Sequence, residues 1–324
     1  MLTPGVRLVE RPGVLHFFDG RRVVSVAGDD DARATVLHVL HDDVDASSDP
    51  GGDSPGGSAR GDDNYAPVRA LLVRLGLIPP PSVAPTHTTA PATGPATAGA
   101  PTGASTGAQF AAATDPRTSL ATATERLAGT HVHVCSDDDV LLGLLAGSGL
   151  RVHRLVGPEL IPTLDADRDL LVVTASDDRP AGSIDLVNRL CLDSGVTWLP
   201  IGAFDGAVLR VGPLMIPGHT ACAACLHRRL AANVAYADLY DDVADVPAAP
   251  TPAALRQWAY GIASLVLLRW IATGDHAVPG QLLSLDPLAL TVRSALVRRV
   301  PRCPVCRAPE HVAAAAPWGF AGDH

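Results

Sequence analysis

Two pairs of cysteines constrain the fold more than any other feature of this sequence. Cys222 and Cys225 form one Cys-x-x-Cys pair, Cys303 and Cys306 form a second, and 77 residues separate the pairs. Four thiolates with this spacing are typical of a closed tetrahedral zinc site, and the fold itself must bring the two pairs together. We therefore expect a structural Zn²⁺ that fixes the C-terminal segment to the preceding domain. The alternative, four free cysteines or a redox dithiol, does not explain the equal internal spacing.

The composition excludes several classes of mechanism and partner. The chain has 324 residues, 47% of them hydrophobic, which is enough for two domains with buried cores. All 25 cationic residues are arginines, so mechanisms that require a lysine, such as Schiff-base chemistry, are excluded. The net charge of -9 argues against a nucleic-acid partner, because an acidic chain repels phosphate backbones.

The sequence indicates neither a secretory signal nor a membrane span. Residues 1–10 lack the basic start and the apolar stretch of a signal peptide. The longest apolar run, residues 258–268, is shorter than the roughly 18–20 residues needed to cross a bilayer. We therefore expect a cytoplasmic protein without a membrane partner, and a reducing compartment favours metal binding over disulfides.

A segment rich in Pro, Ala, Thr and Gly divides the chain. It begins at Pro79, and residues 79–116 are predicted to be a disordered linker. Residues 1–78 are predicted to form a small winged-helix-like α+β domain. Its expected elements are three antiparallel strands over residues 6–9, 14–18 and 23–27, and helices over residues 30–41 and 66–75. Alternatively, this domain only caps the rest of the chain.

Residues 117–324 have the pattern of an α/β domain. Strands alternate with helices from residue 131 onward, and two nearly all-apolar strands, residues 170–173 and 198–201, are typical of strands covered on both faces. A long helix over residues 252–273 and two further strands complete the pattern. The fold class predicted for this part is a parallel α/β sheet.

Two stretches of this domain carry a resemblance to a known family. One begins with DLLVVTASDD at Asp169 and runs to the first cysteine pair; the other, LLSLDPLALTVRSALVRRVPRCPVC, contains the second pair. Together they resemble the ThiF/MoeB superfamily, which activates ubiquitin-like and sulfur-carrier proteins. The resemblance implies a Rossmann-like sheet, the same split pair of zinc knuckles and, in many members, a homodimer.

With the small domain included, the whole chain resembles the Ocin-ThiF-like proteins of thiazole/oxazole-modified peptide (TOMM) and bacteriocin biosynthesis. In that group the small domain recognises a precursor (leader) peptide. The resemblance implies a YcaO-type cyclodehydratase as the separate modifying enzyme.

The expected nucleotide site departs from that of the active enzymes. The first strand of the α/β domain is followed by Cys135-Ser136-Asp137-Asp138-Asp139, and not by the glycine-rich turn through which backbone approaches phosphates. Three carboxylates there would repel ATP, and the family's catalytic lysine has no counterpart, so neither ATP nor Mg²⁺ is expected as a cofactor. Asp177 matches the family's Mg²⁺-assisting Asp and is the weak remaining catalytic candidate, although Asp after a strand is a common turn residue.

Other single residues are interpreted as structural. Cys135 and Cys191 lie in apolar stretches and are expected to be small buried residues. His131 and His133 alternate on a predicted strand and are interpreted as packing or surface residues.

The function expected from these observations is that of a non-catalytic partner protein that binds a precursor peptide and presents it to a modifying enzyme. The peptide is expected to add a strand to the sheet edge at residues 23–27, contacting Val24, Val26, Leu71 and Leu75, although these four residues also suit the core of the small domain. Two alternatives remain: an ATP-dependent adenylating activator of a ubiquitin-like or sulfur-carrier protein, and an orphan zinc-stabilised scaffold.

Overall fold

The computed structural model describes residues 6–18, 23–45, 65–78, 105–136, 138–175, 182–234, 240 and 251–306. The chain divides into two units. The first contains the described residues up to Ile78, together with Phe204–Val208 and Tyr240, and the second contains the remaining described residues.

The first unit is a three-stranded antiparallel sheet with two helices. Its elements are β1 (Arg7–Arg11), β2 (Val14–Phe18), β3 (Val23–Ala27), α1 (Asp30–Asp45) and α2 (Ala66–Arg74), with the strands in the order β1-β2-β3. Gly13 makes the turn between β1 and β2 with φ of +81°, a conformation that favours glycine. The predicted strands and helices of this region are therefore confirmed.

The alternation of apolar residues along β2 gives this unit its core. Leu15 and Phe17 point to the same face of the sheet and are almost completely buried. They belong to one cluster with buried residues from the helices and the segment after α2, namely Val36, Val39, Leu40, Leu72, Leu77 and Ile78. The side chain of Asp29 accepts a hydrogen bond from the Ala32 amide at 2.9 Å, which satisfies a donor at the start of α1.

The second unit is built on a seven-stranded mixed sheet. Its helices are α3 (Thr106–Thr114), α4 (Leu120–Gly129), α5 (Asp139–Gly147), α6 (Gly182–Ser194), α7 (Ala223–Ala231) and α8 (Ala253–Leu268). Its strands are β4 (His131–Cys135), β5 (Arg151–Arg154), β6 (Asp169–Thr174), β7 (Thr197–Ile201), β8 (Leu209–Val211), β9 (Gln281–Asp286) and β10 (Thr291–Leu296). A 3-10 helix, Pro158–Thr163, joins β5 to β6.

The strand order is β10-β9-β8-β7-β6-β4-β5. Strands β4 to β7 are parallel, as predicted, whereas β8, β9 and β10 pair in antiparallel fashion. The chain places β5 on one side of β4 and β6 on the other. The switch point at which open α/β sheets bind ligands therefore lies at the carboxyl ends of β4 and β6.

Part of the predicted linker is a helix. α3 lies within residues 79–116 and buries Ala108 and Ala111, so the prediction of disorder is wrong for this segment. Its small residues permit a close approach, because a Cβ at Gly107 would lie 2.2 Å from the carbonyl oxygen of Ser148. Residues 79–104 of the predicted linker lie outside the described residues.

The long apolar helix predicted near the C-terminus is α8, which continues as one π-helical turn, Arg269–Thr273. Ala259, Ala263 and Leu267 recur at a spacing of four residues and are completely buried, which makes α8 a core helix. Among the described helices, none combines the length and the apolar content needed to span a bilayer.

Candidate functional site

The two cysteine pairs converge on one point, as predicted. Cys222 is the residue before α7 and Cys225 lies in its first turn, whereas Cys303 and Cys306 lie in the turns that follow β10. The four sulfur atoms lie within 4.8 Å of one another. Three of the cysteines are buried and Cys306 is half-buried.

The distances between the sulfur atoms fit a tetrahedral metal site. They are 3.8 Å between Cys222 and Cys225, 3.9 Å between Cys222 and Cys303, and 3.6 Å between Cys225 and Cys306. Zn–S bonds of about 2.3 Å place the thiolates of a regular tetrahedron about 3.8 Å apart. The residues therefore fit a zinc ion in both donor type and spacing.

Long-range hydrogen bonds hold the two sides of the cluster together. The side chain of Asn188 on α6, which is buried, accepts a hydrogen bond from the amide of Ala223 at 2.9 Å and so fixes the start of α7. The guanidinium group of Arg299 donates to the carbonyl oxygens of Gly218 at 2.8 Å and Cys306 at 2.7 Å. No local pattern marks Asn188 or Arg299 in the sequence, because Ala223 and Gly218 lie 35 and 81 positions away from them.

The surroundings give the thiols different proton affinities. Burial raises the pKa values of Cys222 and Cys225 above the ordinary value. Burial also raises the pKa of Cys303, but hydrogen bonds from the backbone amides of Cys306 and Val305 and from neighbouring thiols outweigh it and lower the pKa to about 7. The thiolate form of Cys303 is therefore more accessible near neutral pH than that of Cys222 or Cys225.

The other two cysteines are buried, as expected. Cys135 and Cys191 belong to the apolar cluster that contains Leu171 and Trp198. Burial raises the pKa of Cys191 to about 12, so its thiol stays protonated at neutral pH.

A carboxylate occupies the N-terminus of α5, at the switch point of the sheet. Oδ1 of Asp138 accepts a hydrogen bond from the Val140 amide at 2.9 Å, and Oδ2 accepts one from the Tyr260 hydroxyl, also at 2.9 Å. A guanidinium nitrogen of Arg256 lies 3.9 Å from the same Oδ2. The helix end that would bind a phosphate in a nucleotide-binding relative therefore already has an anionic partner from this chain.

The next carboxylate along the chain is engaged in a different way. Asp139 forms an ion pair with Arg154, whose guanidinium also donates to the Ser136 carbonyl oxygen at 3.1 Å. The side chain of Asp139 is 90% exposed. The catalytic candidate Asp177 lies outside the described residues, as does Asp137.

The third feature is the outer edge of the small sheet at β3. Among the described residues, β3 pairs with β2 and with no other strand. The amide of Gly28 donates to the carbonyl oxygen of Gly13 at 3.3 Å, just beyond the pairing of Ala27 with Val14. Because antiparallel pairs alternate between hydrogen-bonded and non-hydrogen-bonded positions, Ser25 and Ala27 direct their backbone N–H and C=O groups away from β2.

The four predicted peptide contacts occupy different environments. Val24, Val26 and Leu75 are partly buried and pack against the core of the first unit. Leu71 on α2 is 39% exposed. A role for any of them in peptide binding stays a prediction.

No family model and no curated protein matches the chain. Among solved structures, it is similar to a heterocyclase in complex with substrate and cofactor, with a TM-score of 0.51, 19% identity, and coverage of 94% of this chain and 39% of that one. Two further structures have lower TM-scores. The heterocyclase TruD has a TM-score of 0.46 and 16% identity, with coverage of 94% of this chain and 42% of that one. MccB of E. coli has a TM-score of 0.49 and 12% identity, with coverage of 95% of this chain and 97% of that one.

The chain thus spans about two fifths of the length of either heterocyclase, 39% and 42%. At these identities the similarity to the first heterocyclase shows a shared fold and nothing more. The fold expected from the ThiF/MoeB resemblance agrees with this likeness, whereas membership of that superfamily and the closer resemblance to Ocin-ThiF-like proteins stay predictions.

Proposed function

We propose that the chain is a non-catalytic, ThiF-like partner protein that binds a precursor (leader) peptide and presents it to a separate YcaO-type enzyme in thiazole/oxazole peptide biosynthesis. The open backbone edge of β3 is the observation that carries the proposal. The fold shared with a heterocyclase solved with its substrate agrees with this class of pathway. Under the proposal, residues 1–78 form a winged-helix-like recognition domain and the second unit is the ThiF-like domain.

The peptide binds by adding a fourth strand beside β3. The outward backbone groups of Ser25 and Ala27 supply the hydrogen bonds. Because these bonds are made by main-chain groups, they do not require particular side chains along the whole peptide. Val24 and Val26 support the strand from the core side, because both pack inward. Leu71, which is exposed on α2, supplies an apolar contact.

A proline at Ser25 tests this mode of binding. The Ser25→Pro change removes an amide that faces the open edge but no hydrogen bond to β2, so it blocks strand addition and leaves the sheet intact. We expect the affinity for a fluorescein-labelled precursor (leader) peptide to fall by more than tenfold. Fluorescence anisotropy with the full-length protein measures the change.

The matched control is Ser25→Ala, which removes the 2.9 Å contact between the Ser25 hydroxyl and His16 Nδ1 but keeps the amide. It should bind the peptide like the unmodified chain. Amide hydrogen exchange on the unmodified protein provides a second measurement, in which peptide binding protects Ser25 and Ala27. Equal affinity of both variants, without protection at β3, would reject the edge as the binding site.

The proposal that the chain is not catalytic rests on the N-terminus of α5, where the carboxylate of Asp138 lies. Asp138 already accepts a hydrogen bond from the Val140 amide at this helix end, where a nucleotide phosphate would bind, and the chain has no lysine. The alternative, an ATP-dependent adenylating activator, would require this carboxylate to leave its partners, Val140 and Tyr260.

Calorimetric titration with ATP and Mg²⁺ separates the two functions. We expect the zinc-loaded protein to show neither binding heat nor a thermal shift at millimolar ATP, because carboxylates at the switch point repel the phosphates. A thermal shift on adding Zn²⁺ to metal-free protein serves as the positive control for the assay. Micromolar ATP binding would favour the adenylating enzyme and require a test for pyrophosphate exchange.

We assign the cysteine cluster to a structural Zn²⁺. Four thiolates complete a tetrahedron and leave no open position for substrate or water, so the ion stabilises the fold and takes no part in a reaction. Cys222 and Cys225 would hold it from α7, and Cys303 and Cys306 from the C-terminal turns.

Partner, assembly and location are predictions of the same proposal. The modifying enzyme is of the YcaO class, the chain acts in the cytoplasm, and a homodimer follows from the ThiF/MoeB resemblance. If neither peptide nor ATP binds, the remaining function is that of an orphan zinc-stabilised scaffold.

A further inference from the structure

A second group of metal-binding side chains lies on the large sheet. His131 and His133 are on β4, and Asp169 is the first residue of the neighbouring strand β6, directly opposite His131. One ligand atom from each of the three residues lies within 4.8 Å of the other two. The interpretation of these histidines as separate packing or surface residues therefore overlooks a cluster that the strand register creates.

The distances within this cluster match a coordination sphere. Both His131 Nδ1 and His133 Nε2 lie 3.3 Å from the same oxygen, Oδ1 of Asp169. For Zn–N and Zn–O bonds of about 2.0–2.1 Å, neighbouring ligand atoms of a tetrahedron are about 3.3–3.4 Å apart. Two of the three separations already have this value.

The carboxylate is held in place by the backbone. Its second oxygen, Oδ2, accepts a hydrogen bond from the amide of Asp165 at 2.7 Å, so Oδ1 is the atom presented to the histidines. A ligand oriented by a hydrogen bond through its other oxygen is typical of metal sites.

The nitrogen of His133 that faces Asp169 lacks a hydrogen bond. His133 Nε2 is fully buried and, among the described residues, has no hydrogen-bond partner. Asp169 Oδ1 lies 3.3 Å from this nitrogen, but the contact does not meet the geometric criteria of a hydrogen bond. A buried polar nitrogen without a partner is costly, and a cation between it and the carboxylate would satisfy both groups.

We propose that His131, His133 and Asp169 bind a second Zn²⁺ ion. Two imidazoles and a carboxylate are a known zinc ligand set that leaves the fourth position open for water or another ligand. The side chain of His131 is 37% exposed, which provides access from solvent. The ring of His153 on β5 lies 5.3 Å from the rings of both histidines and borders the site.

Metal content and cobalt spectroscopy of the full-length protein test this proposal. We expect two equivalents of zinc per chain, falling to one in Asp169→Asn and in His133→Ala. After Co²⁺ substitution, the thiolate charge-transfer band of the cysteine cluster should persist in both variants, whereas the d–d absorption of the second ion should be lost. Asp169→Asn preserves the shape of the side chain, so it reports ligand loss even if His133→Ala fails to fold.

His276→Ala is the matched control, because His276 is an exposed histidine outside the cluster. It should keep both equivalents. One equivalent in the unmodified protein, or a second equivalent that survives in Asp169→Asn, would overturn the proposal. Neither measurement uses a peptide, so the result is independent of the proposed function.

Discussion

Replacing both Cys222 and Cys303 by serine is expected to remove the structural zinc. The Tm of the second unit should then fall by at least about 10 °C, since each kcal/mol of lost stability corresponds to about 2–4 °C in a unit of this size. The double change takes one ligand from each pair, so neither pair can compensate. Structural zinc sites contribute about 10 kcal/mol or more in small domains, and a unit with its own apolar core should lose part of that amount.

Metal analysis and thermal unfolding measure this effect. The matched control is Cys191→Ala, which removes a buried thiol outside the cluster and should keep the zinc. If the histidine site holds its own ion, the double variant keeps that equivalent. A double variant that has lost the cysteine-bound equivalent but keeps its Tm would show that the cluster does not stabilise the fold.

The second large effect is expected at the start of α5. Asp138→Ala removes a helix cap and the hydrogen bond that the Tyr260 hydroxyl donates to Asp138. Each loss costs about 1 kcal/mol, so the free energy of unfolding should fall by about 2 kcal/mol and the Tm by about 4–8 °C. Thermal unfolding followed by circular dichroism measures both quantities.

Asp139→Ala is the control, because it removes the neighbouring carboxylate and an exposed ion pair with Arg154. Such pairs contribute less than about 1 kcal/mol, so the Tm should hardly change. Equal effects of the two substitutions would contradict the role assigned to Asp138.

Sequence patterns predicted the features that depend on local spacing. Each of these features is set by a pattern only a few residues long. They are the alternation along β2, the apolar strands β6 and β7, and the equal spacing within the two cysteine pairs. The chain direction of the parallel strands followed from the alternation of strands and helices. The structure places these elements within a few residues of the predicted bounds.

The features that the sequence did not predict depend either on strand register or on a composition that suits a helix and a linker equally well. His131, His133 and Asp169 become neighbours only through the pairing of β4 with β6. Tyr260 reaches Asp138 across 122 positions of the chain. Helix α3 has the Ala, Gly and Thr content of a linker, and only its contact with Ser148 reveals why small residues are needed there.

The separation of the two cysteine pairs has a consequence for the order of folding. Cys222 and Cys303 are 81 positions apart, and α8, β9 and β10 lie between them. Joining two points at this distance costs an unstructured chain about 4–5 kcal/mol of entropy, on the estimate used for crosslinks. We therefore expect the intervening strands to pair first, which shortens the loop before the metal closes it. On this expectation the ion binds after the folding transition state. An excess of zinc should therefore slow unfolding more than it accelerates refolding.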